Sequence, residues 1–130
     1  MGKISHFGEH LMIDGYGGSH EKLNSKALVF KFLNELPGKL GMQKLSKPEI
    51  YFAPGNGKSD PGGWSGFVVI VESHLSIHTF PKKGFVSADV YTCLNDMDQD
   101  FIRKYIKKLF ALKELEQNFV KRGLKYNDIP

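Results

Sequence analysis

The chain has 130 residues, a length that fits one compact domain with its own core. Hydrophobic residues make up 41% and charged residues 25%, which excludes a disordered chain. The net charge of +4 comes from lysines spread along the sequence. The densest basic stretch, residues 103–108, lies in an amphipathic pattern, so it indicates a solvated helix face and no nucleic-acid partner.

The cysteine content and the chain start bear on the compartment. A single cysteine excludes an internal disulfide and is compatible with a reducing compartment. The first residues lack a signal-peptide pattern, and no apolar run approaches the roughly 20 residues of a membrane span. We therefore expect a cytoplasmic protein without a membrane partner.

The first half of the chain predicts a strand, a helix and a second strand. Residues 8–14 predict the first strand, which a glycine-rich turn ends. Apolar residues then recur at helical spacing, namely Leu23, Ala27, Phe30 and Leu33. We expect Pro37 and Gly38 to end this helix, and residues 48–53 to form a short strand.

The second half predicts mostly strands. A loop rich in glycine and proline, residues 54–63, precedes three predicted strands at residues 67–71, 75–80 and 85–92. Asp98 is a plausible cap of a second helix whose apolar face comprises Phe101, Ile102, Tyr105, Ile106, Leu109 and Phe110. Residues 114–121 predict a last strand.

Together these elements predict an α+β fold of two layers, an antiparallel sheet with helices packed on one face. The helices carry a single apolar stripe and the strands a single apolar face, so one sheet face remains for a partner or for solvent.

The residues whose side chains are best suited to catalysis are concentrated in residues 72–93. Ser73, His78 and Cys93 lie in or near two predicted adjacent strands, and we expect them to share one pocket. Taken singly, each has an ordinary structural explanation in a turn or in the core. A metal site of His74, His78 and Cys93 is conceivable, but its ligand pattern is incomplete, so no metal is expected.

The whole string, Glu-Ser-His-Leu-Ser-Ile-His-Thr-Phe-Pro followed by a strand ending in Thr-Cys, closely resembles the self-processing segment of the prokaryotic S-adenosylmethionine decarboxylases. Residues 8–11 and 14–17 resemble the first strand of that family. Ser65, Gly66 and Phe67 resemble the entry to its central strand. The resemblance extends over nearly the entire chain.

The resemblance implies a single-domain proenzyme, residues 1–130, that cuts itself between Glu72 and Ser73. Residues 1–72 would become the beta chain, and residues 73–130 the alpha chain with a pyruvoyl group made from Ser73. This group would form a Schiff base with the substrate amine, so neither pyridoxal phosphate nor a metal would be required.

The resemblance also implies roles for three further side chains. Ser65 would assist processing as a donor to the oxyanion, and His78 would remove the α-proton of Ser73. Cys93 would return a proton to the substrate carbon during turnover. Family members of this length imply a homodimer of processed protomers.

The implied substrate is S-adenosylmethionine, whose decarboxylated product donates aminopropyl groups in polyamine (spermidine) synthesis. Phe80 keeps an aromatic face that could stack on adenine. Lys82 occupies the position of a family glutamate associated with the ribose, and Leu94 replaces a glycine. Two alternatives therefore stay open: a pyruvoyl-dependent arginine or ornithine decarboxylase, and a regulatory relative that is never processed.

Overall fold

The computed structural model of the protein describes residues 6–59 and 61–130. These residues form six strands and three α-helices, which are β1 (Gly8–Tyr16), α1 (His20–Leu23), α2 (Lys26–Lys39), β2 (Glu49–Ala53), β3 (Gly63–Ile70), β4 (Ser73–Phe80), β5 (Phe85–Thr92), α3 (Gln99–Leu109) and β6 (Glu114–Arg122). One antiparallel sheet contains all six strands in the order β2-β3-β4-β5-β1-β6.

The core lies on one face of this sheet. Register pairs Val68 with Leu75, Leu75 with Val90, and Val90 with Leu11, so a row of buried side chains crosses four strands. Helix α2 contacts β3 and β4, while α3 contacts β1 and β6. Alternate residues of each strand point to the other face of the sheet, which lies open because both helices pack on the core face. The predicted two-layer α+β sandwich is confirmed.

Helix α3 has the predicted cap and most of the predicted apolar stripe, although Phe101 is 37% exposed. The Asp98 carboxylate accepts the Phe101 N–H at 3.0 Å, and Ile102 and Ile106 are fully buried. A side-chain acceptor at the N-cap satisfies an amide that has no partner within the helix. No helix in the described part of the chain combines the length and apolar character needed to cross a membrane.

The predicted end of the first long helix is wrong. Pro37 lies inside α2, which continues to Lys39. Proline lacks an N–H, yet its carbonyl still accepts N–H groups from Leu40 at 3.0 Å and Met42 at 2.8 Å. Pro37 is also buried, so packing favours the extra turn. The helix ends before Gly41, whose φ of 75° is readily adopted by glycine.

The same helix also begins later than its apolar spacing indicates. Leu23 belongs to the short helix α1, and Ser25 begins α2 by accepting the Leu28 N–H at 3.2 Å. Four strands are longer than predicted. β1 continues through Gly15 to Tyr16 and β6 extends to Arg122, while β3 begins at Gly63 and β4 at Ser73. Small and polar residues at these strand starts conceal them from an apolar pattern.

Candidate active site

Glu72 and Ser73 lie at the tight connection between β3 and β4. Ile70 pairs with Ser73 across the hairpin, leaving Val71 and Glu72 in the turn. Ser73 has a φ of 154°, a conformation that residues other than glycine rarely adopt. Such a backbone costs about 1–3 kcal/mol and persists only where surrounding contacts hold it. The peptide bond before Ser73 is therefore in a strained turn.

Three hydrogen bonds hold this turn in place. The Cys93 N–H donates to the Glu72 carbonyl at 2.9 Å, and the Gln43 N–H donates to Glu72 Oε1 at 3.2 Å. The Val71 N–H donates to the Gln43 carbonyl at 2.8 Å. Both the carbonyl and the side chain of Glu72 thus have fixed donors. The donor from Cys93 is already aimed at an oxygen that would become negative if this carbonyl were attacked.

Cys93 follows the last residue of β5 and is half-buried. Strand β1 runs close beside it at Gly8. A Cβ at Gly8 would lie 2.7 Å from the Thr92 carbonyl oxygen and 3.4 Å from the Cys93 Cα. Only glycine permits this approach. The backbone of Cys93 is thereby packed against two neighbours, the turn at Glu72 and the start of β1.

Ser65 and His78 form a second polar pair on the open face of the sheet. They are register partners on β3 and β4, and His78 Nδ1 lies 2.8 Å from Ser65 Oγ. His78 is exposed. Five residues of strand separate it from Ser73, a distance of about 17 Å. Within one chain, the expected single pocket of Ser73, His78 and Cys93 is therefore not formed.

Phe80 and Lys82 lie toward the same end of β4 as His78. The half-buried Phe80 ring packs on Phe85 with centroids 5.5 Å apart. Lys82 is exposed on the helical turn Pro81–Lys83. It borders a cavity of about 480 Å³ whose lining also includes His20, Glu21, Asn24 and Pro81. An aromatic face and a cation thus lie at the end occupied by the Ser65–His78 pair.

The middle of the open face carries a polar cluster that the sequence patterns did not single out. His10 Nε2 lies 2.9 Å from Asp89 Oδ1, and the Ser76 hydroxyl donates to Asp89 Oδ2 at 3.2 Å. Partial burial, followed by the charge of nearby His10, lowers the pKa of His74 below its usual value. The sequence signal that could have revealed this cluster was Asp89, a carboxylate that alternates with apolar residues in β5. Gln43 gave no signal, because only its backbone acts.

Metal binding finds no support in the residues that the structure describes. No three histidine, cysteine, aspartate or glutamate side chains among them are close enough to hold an ion. His74 and His78 are four residues apart on one extended strand, a separation of about 13 Å. That separation is too large for two ligands of one ion.

These features define an α+β sandwich with a strained serine turn that is suited to self-processing. Residues 9–123 match the S-adenosylmethionine decarboxylase family. The S-adenosylmethionine decarboxylase proenzyme of Caldicellulosiruptor saccharolyticus is 37% identical over 117 residues, covering 90% of this chain and 89% of the relative. The proenzyme of Thermococcus gammatolerans is 31% identical over 128 residues, with 98% and 85% covered.

A solved structure gives the same result. The crystal structure of the adenosylmethionine decarboxylase from Aquifex aeolicus has a TM-score of 0.77 and 27% identity, and the match covers 92% of this chain and 93% of that one. The chain belongs to the S-adenosylmethionine decarboxylase family, whose members are carboxy-lyases. The resemblance inferred from residues 72–93 is confirmed.

Proposed function

We propose that the protein decarboxylates S-adenosylmethionine with a pyruvoyl group that it makes from Ser73. The observation that carries this proposal is the strained serine turn, in which the Cys93 N–H donates to the Glu72 carbonyl at 2.9 Å. The product would supply aminopropyl groups for polyamine synthesis. The chain would be divided into residues 1–72 and 73–130.

The turn is suited to an N-to-O acyl shift. Ser73 Oγ attacks the Glu72 carbonyl carbon, an ester bond forms to Oγ, and the amide bond breaks to release the Ser73 amine. The Cys93 N–H stabilises the oxyanion on Glu72 during this attack. Release of the positive φ at Ser73 favours the forward direction, because the strained peptide bond no longer exists in the ester.

A base then removes the Ser73 α-proton. The bond between Ser73 Cβ and Oγ then breaks, and the oxygen leaves as part of the new C-terminal carboxylate of Glu72. Water hydrolyses the resulting dehydroalanine to the pyruvoyl group and ammonia. His78 has the geometry of a base: when its Nδ1–H donates to Ser65 Oγ, Nε2 carries the lone pair. The Ser65 hydroxyl can accept this bond and still donate its own proton to an oxyanion.

The base and the turn meet when two copies pack through their open faces. His78 is about 17 Å from Ser73 in its own chain, so a second copy must supply it. The open face also carries exposed apolar side chains, namely Tyr51, Phe67, Val69 and Val120, which are 60%, 38%, 38% and 44% exposed. A sheet face that exposes several large apolar side chains favours a partner that covers them. A two-fold dimer would place the Ser65–His78 end of each copy on the Ser73–Cys93 end of the other.

In turnover, the pyruvoyl group supplies an electron sink for the pair released as CO2 leaves. The position of Ser73 fits this group. The keto oxygen of the pyruvoyl group would take the place of the Ser73 nitrogen at the start of the alpha chain, beside the Cys93 backbone. Cys93 delivers a proton to the substrate carbon that lost the carboxylate. Phe80 offers an aromatic surface on which the adenine of a substrate stacks.

Lys82 bears on the choice between substrates. The far end of arginine or ornithine is a cation, whereas the far end of S-adenosylmethionine is a neutral adenosine. A lysine ammonium at the Phe80 end repels a second cation. It cannot accept hydrogen bonds from ribose hydroxyls, so those must be bound by other groups. The charge therefore favours the nucleoside substrate.

A carbon dioxide assay tests the substrate assignment. Purified protein is incubated separately with S-adenosylmethionine, arginine and ornithine, each labelled at the carboxyl carbon. We expect label to be released from S-adenosylmethionine alone, and the Ser73→Ala variant to release none. Release from arginine or ornithine instead would reassign the substrate, and release from none of the three would contradict decarboxylation.

A further inference from the structure

Glu9 is a buried carboxylate to which the family resemblance assigns no role and which the proposed chemistry does not use. It lies on β1 opposite Thr92, the residue before Cys93, and it is 4% exposed. Burial of a carboxylate is unfavourable unless hydrogen bonds replace its lost water. The contacts of Glu9 therefore indicate what the fold gains by placing it there.

Those contacts go to the segment that follows Cys93. Glu9 Oε1 accepts the Met97 N–H at 3.0 Å, and Oε2 accepts the Asp96 N–H at 3.3 Å. Oε2 also lies 3.2 Å from His6 Nε2, so a third nitrogen contacts the carboxylate. Both oxygens are thus engaged, and two consecutive amides of this segment depend on one side chain for their acceptor.

The segment needs such an anchor because its backbone is irregular. Asp96 has a φ of 65°, in the left-handed region that few residues other than glycine adopt. Thr92 Oγ1 accepts the Leu94 N–H at 3.0 Å, which fixes the beginning of the segment. The N–H of Cys93 therefore ties Cys93 to the Glu72 turn, while Thr92 and Glu9 hold residues 94–97 in place.

We propose that Glu9 is a positioning residue for Cys93. By fixing residues 96 and 97, it fixes the path of the chain that leaves Cys93, and with it the direction of the thiol and of the N–H aimed at the Glu72 carbonyl. The inference rests on the proposed function, because it assigns Glu9 a role through the proton donor and the oxyanion donor of that reaction.

The reactivity of the thiol tests this inference without requiring any cleavage or turnover. Cys93 is the only cysteine, so the alkylation rate of the chain reports on this residue alone. The rate is measured for Glu9→Ala and Glu9→Gln, each built on the uncleavable Ser73→Ala chain. The matched control is Glu35→Gln, an exposed carboxylate on α2. Circular dichroism establishes that each variant is folded at the temperature used.

We expect Glu9→Ala to alkylate severalfold faster than its Ser73→Ala parent, because residues 96 and 97 lose their acceptor. Glu9→Gln keeps one carbonyl oxygen and should be intermediate, whereas Glu35→Gln should match the parent. On the chain that retains Ser73, Glu9→Ala should slow self-cleavage by up to about 10²-fold, the effect of displacing a reacting group by about 1 Å.

Parent rates of alkylation and cleavage in a folded Glu9→Ala variant would overturn the inference, even if the variant were less stable. If Glu9→Ala does not fold, the isosteric Glu9→Gln decides the matter by the same two rates. Failure of the proposed function is distinguishable. The chain with wild-type Glu9 would then remain uncut, while the alkylation comparison would still report on the position of Cys93.

Discussion

We expect co-expression of a Ser73→Ala chain with a His78→Ala chain to restore self-cleavage that neither variant shows alone. Each variant by itself lacks either the nucleophile or the base in every site. In the proposed dimer, the Ser73 of one copy would meet the His78 of the other, so a mixed dimer would keep one of its two sites intact. With random pairing, about half of the Ser73-bearing chains should be cut.

The experiment is read on a denaturing gel or by intact mass, with a tag that distinguishes the two chains. Only the His78→Ala chain can be cut, because only it retains Ser73. The matched control replaces His78→Ala with His20→Ala, a change at an exposed histidine of α1, and that chain should cleave without a partner. Cleavage of His78→Ala alone would contradict the role of the base. Mixed dimers that form without cleavage would contradict the shared site.

Replacement of Cys93 by alanine should separate turnover from self-cleavage. The hydrogen bond to the Glu72 carbonyl comes from the backbone N–H of residue 93, which alanine retains. The thiol is lost, and with it the proposed general acid. We expect kcat for decarboxylation to fall about 10²- to 10⁴-fold, the usual contribution of a positioned acid, while the cleavage rate changes little.

The cleavage rate serves as the internal control, because it reports whether the turn still has its native geometry. It is followed by the appearance of the two fragments, and decarboxylation by the release of labelled CO2. Wild-type decarboxylation by Cys93→Ala would show that another group protonates the substrate. Loss of cleavage in the same variant would show that the thiol, and not the backbone amide, acts in processing.

Local patterns predicted most elements of the fold. Helix α3 followed from a stripe with a capping aspartate, and β5 from alternation between two turns. Pro37 misled the prediction, because its burial in the core is a tertiary effect that outweighs the local preference of proline. Likewise, β3 begins at Gly63, whose pairing partner Ala53 lies on β2.

The candidate site was predictable in composition but not in arrangement. Ser73, His78 and Cys93 were identifiable because they lie in a distinctive string of residues. Proximity in sequence suggested one pocket, but each residue of an extended strand adds about 3.3 Å of separation. Register alone pairs Ser65 with His78. The donor from Cys93 and the support from Gln43 are backbone groups, which every residue possesses and no sequence motif reveals.

The most direct test of the central claim is the intact mass of the denatured protein after incubation with S-adenosylmethionine and cyanoborohydride. We expect no intact chain of 14.7 kDa. In its place should appear residues 1–72, and residues 73–130 carrying an adduct derived from the nucleoside substrate. Parallel incubations with arginine and ornithine should leave the second fragment without an amino-acid adduct. An uncut and unmodified chain would contradict both the self-processing and the decarboxylation.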